Sequence, residues 1–337
     1  MLDIITIGSS TVDFFLETEF PSVPWNTPSG RAIVIPFGEK FSAKNSLITS
    51  GGNAVNTAVT FRRQGLKTAT AIKLGQDVAG EMIYSRLNGE GVKDKFIIWD
   101  ETLPTSRSAV LLERGERSII TYQGAGAAIS AKDINLKRLR AKWWYVSLPG
   151  DSYKLFSTLA RASYEMGVKL ALNPTLRHIR EGKKQLLANL KYVDFLVLNE
   201  SEAAELTGIP FSNEAEVFRI IDKLAPGIVA VTRGNKGSVV SNGEYIFRAG
   251  IFKEKRMTDR TGAGDAYGSG FVAGLIRCKA DCNSYVPEKI KYAIRLATAN
   301  AASVVENIGA SENALYKKEF DNASRYRKLG ISQNRVK

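Results

Sequence analysis

Residues 259–275 read DRTGAGDAYGSGFVAGL, a small, glycine-rich turn that leads directly into an apolar helix. Gly262, Ala263 and Gly264 allow several backbone N–H groups to converge without obstruction by side chains. The helix N-terminus adds partial positive charge, so we expect an anion to bind at this turn. Asp265, at the same point, is well placed to take a proton from a substrate hydroxyl.

Two interpretations of this turn are open from these residues alone. In the first, the turn performs phosphoryl transfer to an alcohol: the amides stabilise the transferring phosphate and the carboxylate activates the attacking oxygen. In the second, Asp265 is only the N-cap of a helix that follows a glycine turn. A dinucleotide fold is disfavoured, because Gly262, Gly264 and Gly268 miss the G-x-G-x-x-G spacing by one residue and lie near the C-terminus.

The sequence lacks the signatures of two other kinase designs. It contains no G-x-x-x-x-G-K-[ST] stretch, which excludes a Walker-type phosphate loop. The only histidine, His178, is followed by Ile179, so the chain has no H-R-D catalytic loop. With no catalytic or metal partner nearby in sequence, His178 is expected to be a surface residue.

The composition is that of an ordinary globular protein. The chain has 337 residues, of which 44% are apolar and 24% are charged. No signal peptide is recognisable, and no apolar run reaches the roughly 20 residues of a membrane span. Cys278 and Cys282 suit a reducing cytosol, and the ligands for zinc are too few. We therefore expect a cytoplasmic protein with no membrane partner.

The chain carries a formal net charge of +13 that is mostly spread along its length. The denser basic runs are residues 137–142, KRLRAK, and the C-terminal residues 325–337. Neither run contains a recognisable nucleic-acid motif, and a solvated basic surface that attracts anionic nucleotides accounts for the charge. A nucleic-acid partner is therefore not expected.

Strand and helix patterns alternate along most of the chain. Candidate strands lie at residues 4–7, 68–74, 143–147, 169–172, 195–198 and 228–232. Candidate helices lie at residues 53–64, 79–89, 153–166, 215–224, 266–277 and 288–305. This alternation predicts an α/β fold with a mostly parallel sheet between two layers of helices.

Two β-rich segments interrupt the alternation, and we expect them to pair in space as a small β lid. Residues 14–49 are broken by several prolines, and residues 96–124 contain short β patterns separated by turn signals. The predicted organisation is an α/β core (residues 1–13, 50–95 and 125–315), the lid (14–49 and 96–124) and a basic C-terminal tail (316–337).

Two segments resemble the signatures of the PfkB family of ribokinase-like carbohydrate and nucleoside kinases. The first is residues 51–58, GGNAVNTA, with Gly65 and Gly75 at the family's spacing, and the second is residues 259–265. Weaker matches in the same order extend the resemblance over residues 3–315. The resemblance implies a ribokinase-like three-layer α/β/α sandwich with a β lid. It also implies a kinase that transfers the terminal phosphate of a nucleotide to a hydroxyl of a small sugar, with Asp265 as the catalytic base.

The resemblance assigns an acceptor site to residues near the N-terminus. Asp13 resembles the aspartate that holds sugar hydroxyls, and Gly51, Gly52 and Asn56 resemble the loop that approaches the acceptor. The structural alternatives are a turn aspartate and a helix-starting asparagine. Ribose-specific members carry a glutamate where this chain reads VSLPG at residues 146–150, so the resemblance does not favour ribose.

The resemblance assigns Mg²⁺ to a second motif. Asn199 and Glu202 match the N-x-x-E motif that organises Mg²⁺ and its water shell, with Glu202 acting through water. A capping pattern at the start of a helix is the structural alternative. Asp259 matches a residue near a monovalent cation site in some relatives, which leaves a K⁺ requirement open.

The nucleotide site is assigned to two further regions. Thr232, Arg233 and Gly234 resemble the turn that contacts the nucleotide phosphates and ribose. Thr298 and Ala301, with Ala297, are candidates for the adenine wall, and tight core packing is the alternative. Arg260 stands where threonine is common and adds a charge near the phosphates. The expected donor is ATP, while ADP or another nucleotide stays open.

Two expectations concern function class and assembly. A nucleoside kinase on the same scaffold is the alternative to the sugar kinase, whereas the intact motifs at 262–265 and 199–202 disfavour a non-catalytic descendant. In relatives the lid often doubles as a dimer interface, so a homodimer through the lid is expected. An exposed sheet edge in such a lid would favour pairing.

Overall fold

The structure is a computed structural model that describes residues 1–27, 30–113, 116–149, 152–255, 258, 260–278 and 286–336. The strands are β1 (Leu2–Gly8), β2 (Thr11–Glu17), β3 (Ser22–Pro24), β4 (Arg31–Ile33), β5 (Asn45–Gly51), β6 (Thr68–Ala71), β7 (Lys73–Gly75), β8 (Ile98–Asp100), β9 (Arg107–Glu113), β10 (Glu116–Tyr122), β11 (Ala141–Ser147), β12 (Lys169–Leu172), β13 (Phe195–Asn199), β14 (Ile228–Thr232), β15 (Ser238–Ser241), β16 (Tyr245–Ala249) and β17 (Ile331–Arg335). The helices are α1 (Asn53–Arg63), α2 (Val78–Gly89), α3 (Tyr153–Glu165), α4 (Leu176–Glu181), α5 (Lys183–Asn189), α6 (Glu200–Thr207), α7 (Glu214–Leu224), α8 (Ala263–Arg277), α9 (Pro287–Val304) and α10 (Lys317–Asn322). Within the described ranges, none of these helices has the length and apolarity needed to cross a bilayer.

Nine strands form the central sheet, in the order β17-β16-β15-β14-β13-β12-β11-β1-β6. The strands from β14 to β6 run parallel to their neighbours, whereas β15, β16 and β17 are joined antiparallel at one edge. The parallel strands are buried on both faces, which explains why they read as nearly continuous apolar runs.

Alternate residues of each strand fill two separate cores on opposite faces of the sheet. On β11, Trp144 and Val146 pack on the side of helices α3 to α7. Their neighbours Trp143 and Tyr145 pack on the other side, under α1, α8 and α9. The sheet therefore lies between two helical layers, and the predicted three-layer α/β/α sandwich is confirmed.

A second sheet of four strands, β10-β9-β2-β5, lies beside the central one and is called the lid sheet below. It takes β2 and β5 from the first β-rich segment and β9 and β10 from the second. One β-rich piece behaves differently from the expectation, because β8 pairs with β7 in a separate two-stranded sheet. Strand β2 begins at Thr11, so Asp13 belongs to the lid sheet.

The C-terminal residues form part of the central fold, which differs from the predicted basic tail. Strand β17 pairs antiparallel with β16 and closes the edge of the central sheet. Phe320 and Tyr326 are buried in the core under α8 and α9, and Arg277 pairs with Asp321 at 2.5 Å. The apolar residues of this segment are too few to give a periodic pattern, and its many charged residues predicted an exposed tail.

Helix α8 lies unusually close to the sheet and to α9 because it carries glycines on two sides. A Cβ added at Gly268 would overlap the Tyr145 hydroxyl and lie 3.0 Å from a Val197 methyl carbon. A Cβ at Gly270 would lie 2.9 Å from the Cα of Ala297 on α9. The small residues therefore fix α8, and with it the Asp265 turn at its N-terminus, against the strands.

We expect Gly268→Ala to lower the free energy of unfolding by about 1–3 kcal/mol, because the added methyl group must displace Tyr145 or α8. Adding Tyr145→Phe removes the overlapping hydroxyl and should restore part of the loss. Urea unfolding of both single variants and the double variant measures this coupling. Gly89→Ala is the control, since a Cβ at Gly89 has no atom within 4 Å. An equal loss with and without Tyr145→Phe would contradict the packing argument.

Candidate active site

The glycine-rich turn ends at Gly262, which is the N-cap residue of α8 and has a φ of 77°. A Cβ at this position would overlap the backbone of Ala310, so glycine is required both for conformation and for close approach. Helix α8 starts at Ala263, earlier than its apolar pattern indicates, and Asp265 lies inside the first turn. The N-cap interpretation of Asp265 is therefore wrong. Gly262 has no side chain to cap the first N–H groups of α8, although the Ala263 N–H contacts the Arg260 carbonyl at 3.4 Å, and an N-terminus without a side-chain cap is suited to bind an anion.

The Asp265 carboxylate is buried and accepts a hydrogen bond from a side-chain amide. The residue is 9% exposed, and Asn56 Nδ2 donates a hydrogen bond to Asp265 Oδ2 at 3.0 Å. Burial raises the pKa of Asp265 from its ordinary value of 3.8 to about 6, and the Asn56 hydrogen bond limits the rise. Asn56 lies within α1 rather than at its start, so the helix-start interpretation of Asn56 is also wrong.

Tyr145 contributes a second buried polar group near Asp265 that sequence reasoning missed. Its hydroxyl finds no hydrogen-bond partner in the part of the chain that the structure describes. Burial, with a smaller effect of the Asp265 charge, raises the pKa of Tyr145 well above its ordinary value. The hydroxyl therefore stays protonated. In the sequence, Tyr145 is one residue of an apolar strand, and no local pattern distinguishes it from the core residues beside it.

Two glycines bring the N-terminus of α1 against the start of the lid sheet. Gly52 is the N-cap of α1 with a φ of 91°, and a Cβ there would lie 2.6 Å from the Cα of Ser10. A Cβ at Gly51 would overlap the Asp13 carboxylate. Asp13 is 7% exposed and pairs with Thr49 across β2 and β5. The structure thus brings Asp13, Gly51 and Gly52 together at one end of α1.

Asn199 and Glu202 form a reciprocal capping box at the start of α6. The Glu202 N–H donates to Asn199 Oδ1 at 2.8 Å, and the Asn199 N–H donates to Glu202 Oε2 at 2.9 Å. Burial raises the pKa of Glu202, and the charge of Asp265 adds to the rise. The capping alternative is therefore present in the structure, and the same carboxylate also lies in the electrostatic field of Asp265.

A cavity of about 320 Å³ opens between the N-terminus of α8, the β14–β15 turn and α9. Six residues that were predicted from the sequence to bind phosphate or nucleotide line this cavity: Thr232, Gly234, Ala263, Gly264, Thr298 and Ala301. Arg260 also lines it. The residues that sequence reasoning missed are Asn235, Gly237, Ile251, Glu254, Tyr267, Ala302 and Val305. Ile251 and Glu254 belong to an irregular segment and have no motif that could have identified them.

Some residues singled out from the sequence lie elsewhere. Arg233 forms an ion pair with Glu200 at 2.9 Å, and Ala297 is buried against Gly270. His178 is 4% exposed, so the prediction of a surface histidine is wrong, because the first turn of α4 packs into the core under α6. Three residues of the sequence analysis, Asp259, Gly150 and Cys282, lie outside the described residues.

The acidic and sulfur side chains of the described ranges form no ready-made metal cluster: no group of three or more His, Cys, Asp or Glu residues there is placed to hold an ion.

Comparison with known proteins identifies related sequences and folds. A family model described as pfkB family carbohydrate kinase matches residues 27–317. The chain is 28% identical over 310 residues to Fructokinase-1 of Zea mays, an alignment covering 84% of this chain and 94% of that protein. It is 26% identical over 281 residues to the cytidine kinase of Thermococcus kodakarensis, covering 82% and 90%. The structure of Arabidopsis thaliana ribokinase complexed with ribose and ATP superposes with a TM-score of 0.75 at 24% identity, covering 97% and 99%. The ribokinase-like fold is thereby confirmed.

The raised pKa of Asp265 predicts that this residue lowers stability at neutral pH. Between pH 3.8 and about 6 the folded protein keeps a proton that the unfolded chain releases, so stability falls as the pH rises through this window. Above pH 6 the ionised Asp265 lowers the free energy of unfolding by about 3 kcal/mol, the value that corresponds to this shift in pKa. Asp265→Asn, which does not ionise, should therefore raise the free energy of unfolding at pH 7.5, and the gain should shrink towards pH 4.

Urea unfolding across this pH range tests the prediction, with Asp77→Asn as a control of opposite sign. Although burial opposes ionisation, Thr105, the Gly80 N–H and Arg107 lower the pKa of Asp77, the N-cap of α2. The charged Asp77 therefore stabilises the folded state above its unfolded pKa, and its loss should destabilise the protein at pH 7.5. A gain for Asp265→Asn that does not change with pH would contradict the pKa argument.

Proposed function

Because the chain belongs to the pfkB family of carbohydrate kinases, we propose that it is a cytoplasmic enzyme that transfers the terminal phosphate of ATP to a hydroxyl of a small sugar. Membership of the family makes the chain a kinase with a nucleotide donor and a hydroxyl acceptor. The observation that carries the finer proposal is the buried Asp265 carboxylate at the uncapped N-terminus of α8. It lies beside a cavity that contains the residues expected to bind nucleotide.

Asp265 acts as the general base in this proposal. Its carboxylate takes the proton from the acceptor hydroxyl while the acceptor oxygen attacks the terminal phosphorus of the nucleotide. The new bond joins that oxygen to phosphorus, and the bond to the bridging oxygen of the donor breaks to release the nucleoside diphosphate. A pKa of about 6 leaves the base ionised at neutral pH but basic enough to accept a proton. The Asn56 amide holds the carboxylate in place.

The first turn of α8 stabilises the transferring phosphate. The N–H groups of residues 262–265 are the proposed donors, and the space beside Gly264 is open, since a Cβ there would have no atom within 4 Å. Preorganised N–H donors cost no reorganisation when negative charge develops on the phosphate. Thr232 and Gly234 then lie along the nucleotide, and Thr298 and Ala301 lie against its base.

Mg²⁺ fits the residues around Asp265, and Glu202 would hold it through water. The observation that supports this fit is the raised pKa of Glu202, to which burial and the Asp265 charge contribute. A cation relieves the repulsion between these two carboxylates, and one outer-sphere carboxylate suffices for an ion that keeps its waters. When bound, Mg²⁺ neutralises charge on the polyphosphate.

Asp13, Gly51, Gly52 and Asn56 form the acceptor site in this proposal. The carboxylate of Asp13 accepts hydrogen bonds from sugar hydroxyls, and the two glycines let α1 approach the lid sheet closely enough to place Asp13 at the end of the helix. Relatives described as fructokinase and ribokinase favour a sugar. Relatives described as cytidine kinase and nucleoside kinase keep a nucleoside acceptor as the second candidate.

Asp265→Asn should reduce turnover by about 10²- to 10⁴-fold, because the acceptor loses its general base. Nucleotide consumption is measured with Mg²⁺ across a panel of sugars, polyols and nucleosides, and the acceptor that stimulates turnover identifies the substrate class.

For the wild type, kcat/KM should fall as the pH drops below about 6, where Asp265 becomes protonated.

Asp222→Asn is the matched control for this measurement. Asp222 is a second carboxyl group whose pKa is raised by burial, but it bonds to Ser241 on β15, outside the proposed site. Its replacement should leave turnover within about twofold of the wild type. Near wild-type turnover by folded Asp265→Asn would overturn the assignment of the base. Absence of both turnover and nucleotide binding in the wild type would overturn the proposal as a whole.

A homodimer through the lid is part of the proposal. The outer face of the lid sheet carries a row of side chains in register across all four strands: Ile48, Phe14, Ala109 and Ile120. Phe14, Ile48 and Ile120 are 37%, 50% and 67% exposed. A continuous exposed apolar row of this kind is typical of an interaction surface, and a second copy of the same sheet would bury it.

Ile120→Lys should weaken the dimer by at least about tenfold, because it places a charge at the most exposed position of this row. Sedimentation velocity at micromolar concentration measures the shift from twice the chain mass of 36.9 kDa to the single chain. Tyr164→Lys is the control, since Tyr164 is 72% exposed on α3, away from the lid sheet. A monomeric wild type, or a dimer that tolerates Ile120→Lys, would count against this interface.

A further inference from the structure

The proposed nucleotide cavity has one wall without regular structure. Ile251 and Glu254, which line it, belong to the irregular segment that follows β16. The facing wall is the end of α9, with Ala302 and Val305. An irregular segment has no ladder of backbone hydrogen bonds to fix its position, so other contacts must hold it at the correct distance from α9.

Glu306 joins these two walls. It follows Val305 directly, and its Oε1 accepts a hydrogen bond from the Lys255 N–H at 2.8 Å. Backbone contacts support the junction: the Thr258 N–H donates to the Val305 carbonyl at 2.9 Å, and Thr258 Oγ1 donates to the Glu306 carbonyl at 2.9 Å. The irregular segment is thus connected to the end of α9 through the Glu306 carboxylate and through Thr258.

Arg325, in the basic C-terminal run, provides the positive charge that this carboxylate needs. Its Nη2 lies 2.6 Å from Glu306 Oε1 and its Nη1 lies 3.3 Å from Oε2. The same Nη2 donates to the Lys253 carbonyl at 3.4 Å, so one guanidinium contacts both walls. Glu306 is 8% exposed, and a buried carboxylate without a paired cation is strongly destabilising.

The charge pair is reinforced by neighbouring apolar contacts. Tyr326 packs edge-to-face on Phe252, with ring centroids 5.3 Å apart. Strand β17 pairs with β16 directly before the irregular segment, with Ile331 opposite Ala249. The C-terminal segment therefore contacts the irregular wall at its start through β17, in its middle through Tyr326, and near its end through Arg325.

We propose that Arg325 is a positioning residue for the nucleotide: through Glu306 and Lys253 it holds residues 251–254 against the end of α9 and so sets nucleotide affinity. This inference rests on the proposed nucleotide site. It gives the basic C-terminal run a role inside the enzyme, because its first residue supports the donor cavity. Arg325 does not line the cavity and acts only through the residues it holds.

The test measures nucleotide affinity directly, by calorimetric titration of the full chain with ADP and with a non-hydrolysable ATP analogue. Arg325→Gln should weaken binding by about tenfold, the loss expected when one charge-assisted hydrogen bond is removed. The KM for the nucleotide should rise by a similar factor, while kcat and the KM for the acceptor stay within about twofold. Arg325→Lys, which keeps the charge, should recover part of the affinity.

Two further variants separate positioning from general stability. Lys328→Gln removes an exposed cation from the same segment and should leave affinity unchanged. Glu306→Gln should weaken nucleotide binding as Arg325→Gln does, and the double variant should be no weaker than the worse single one, because the two side chains act as a pair.

The possible outcomes distinguish the proposed nucleotide site from the positioning role of Arg325. Wild-type protein that binds no nucleotide would overturn both the proposed site and this inference. Wild-type binding with unchanged affinity in Arg325→Gln, even alongside a lower melting temperature, would overturn the inference alone. If Arg325→Gln does not fold, Arg325→Lys and Glu306→Gln decide the question, and wild-type affinity in both would overturn the positioning role.

Discussion

The close packing of α8 against the central sheet places a buried carboxylate at the end of the parallel strands. Gly268 lets the helix reach Tyr145, and Gly270 lets α9 reach α8 from the other side. Because both neighbours contact the helix directly, its N-terminal turn has little freedom to move. Asp265, the Gly262 turn and the cavity at the N-terminus of α8 all take their positions from this packing.

Burial of Asp265 makes its ionised form less stable in the folded protein than in water, which is why its pKa rises to about 6. Burial raises the pKa of Asp222 as well, so a raised pKa alone does not mark a functional carboxylate. Asp77, a helix cap with several donors and Arg107, has a lowered pKa. What distinguishes Asp265 from both is its place in the first turn of α8, beside the cavity.

The proposed substrate cleft is bounded by segments that lie far apart in the chain. The lid sheet combines strands from residues 11–51 and 107–122, and it brings Asp13 to the N-terminus of α1. The proposed nucleotide cavity is bounded by the irregular segment after β16, which contacts the C-terminal residues. Both borders thus depend on contacts between segments that are distant in sequence, which suits an enzyme that must admit two substrates and exclude water.

The sequence by itself determined the features that depend on local backbone freedom and on hydrophobic period. The glycine turn at 262–264, the GGNAVNTA segment and the alternating strands and helices are properties of short stretches. They predicted the fold, and they singled out six residues that the structure brings together in one cavity. Tertiary structure decided the rest, since it depends on contacts between distant residues. Asn56 contacts Asp265 across 209 positions of sequence, and Tyr145 and His178 are buried by helices that pack over them. Arg325 contacts Glu306 in the C-terminal segment that also pairs β17 with β16. No local pattern encodes such pairs, because burial and the charges that face a group are fixed only when the chain has folded.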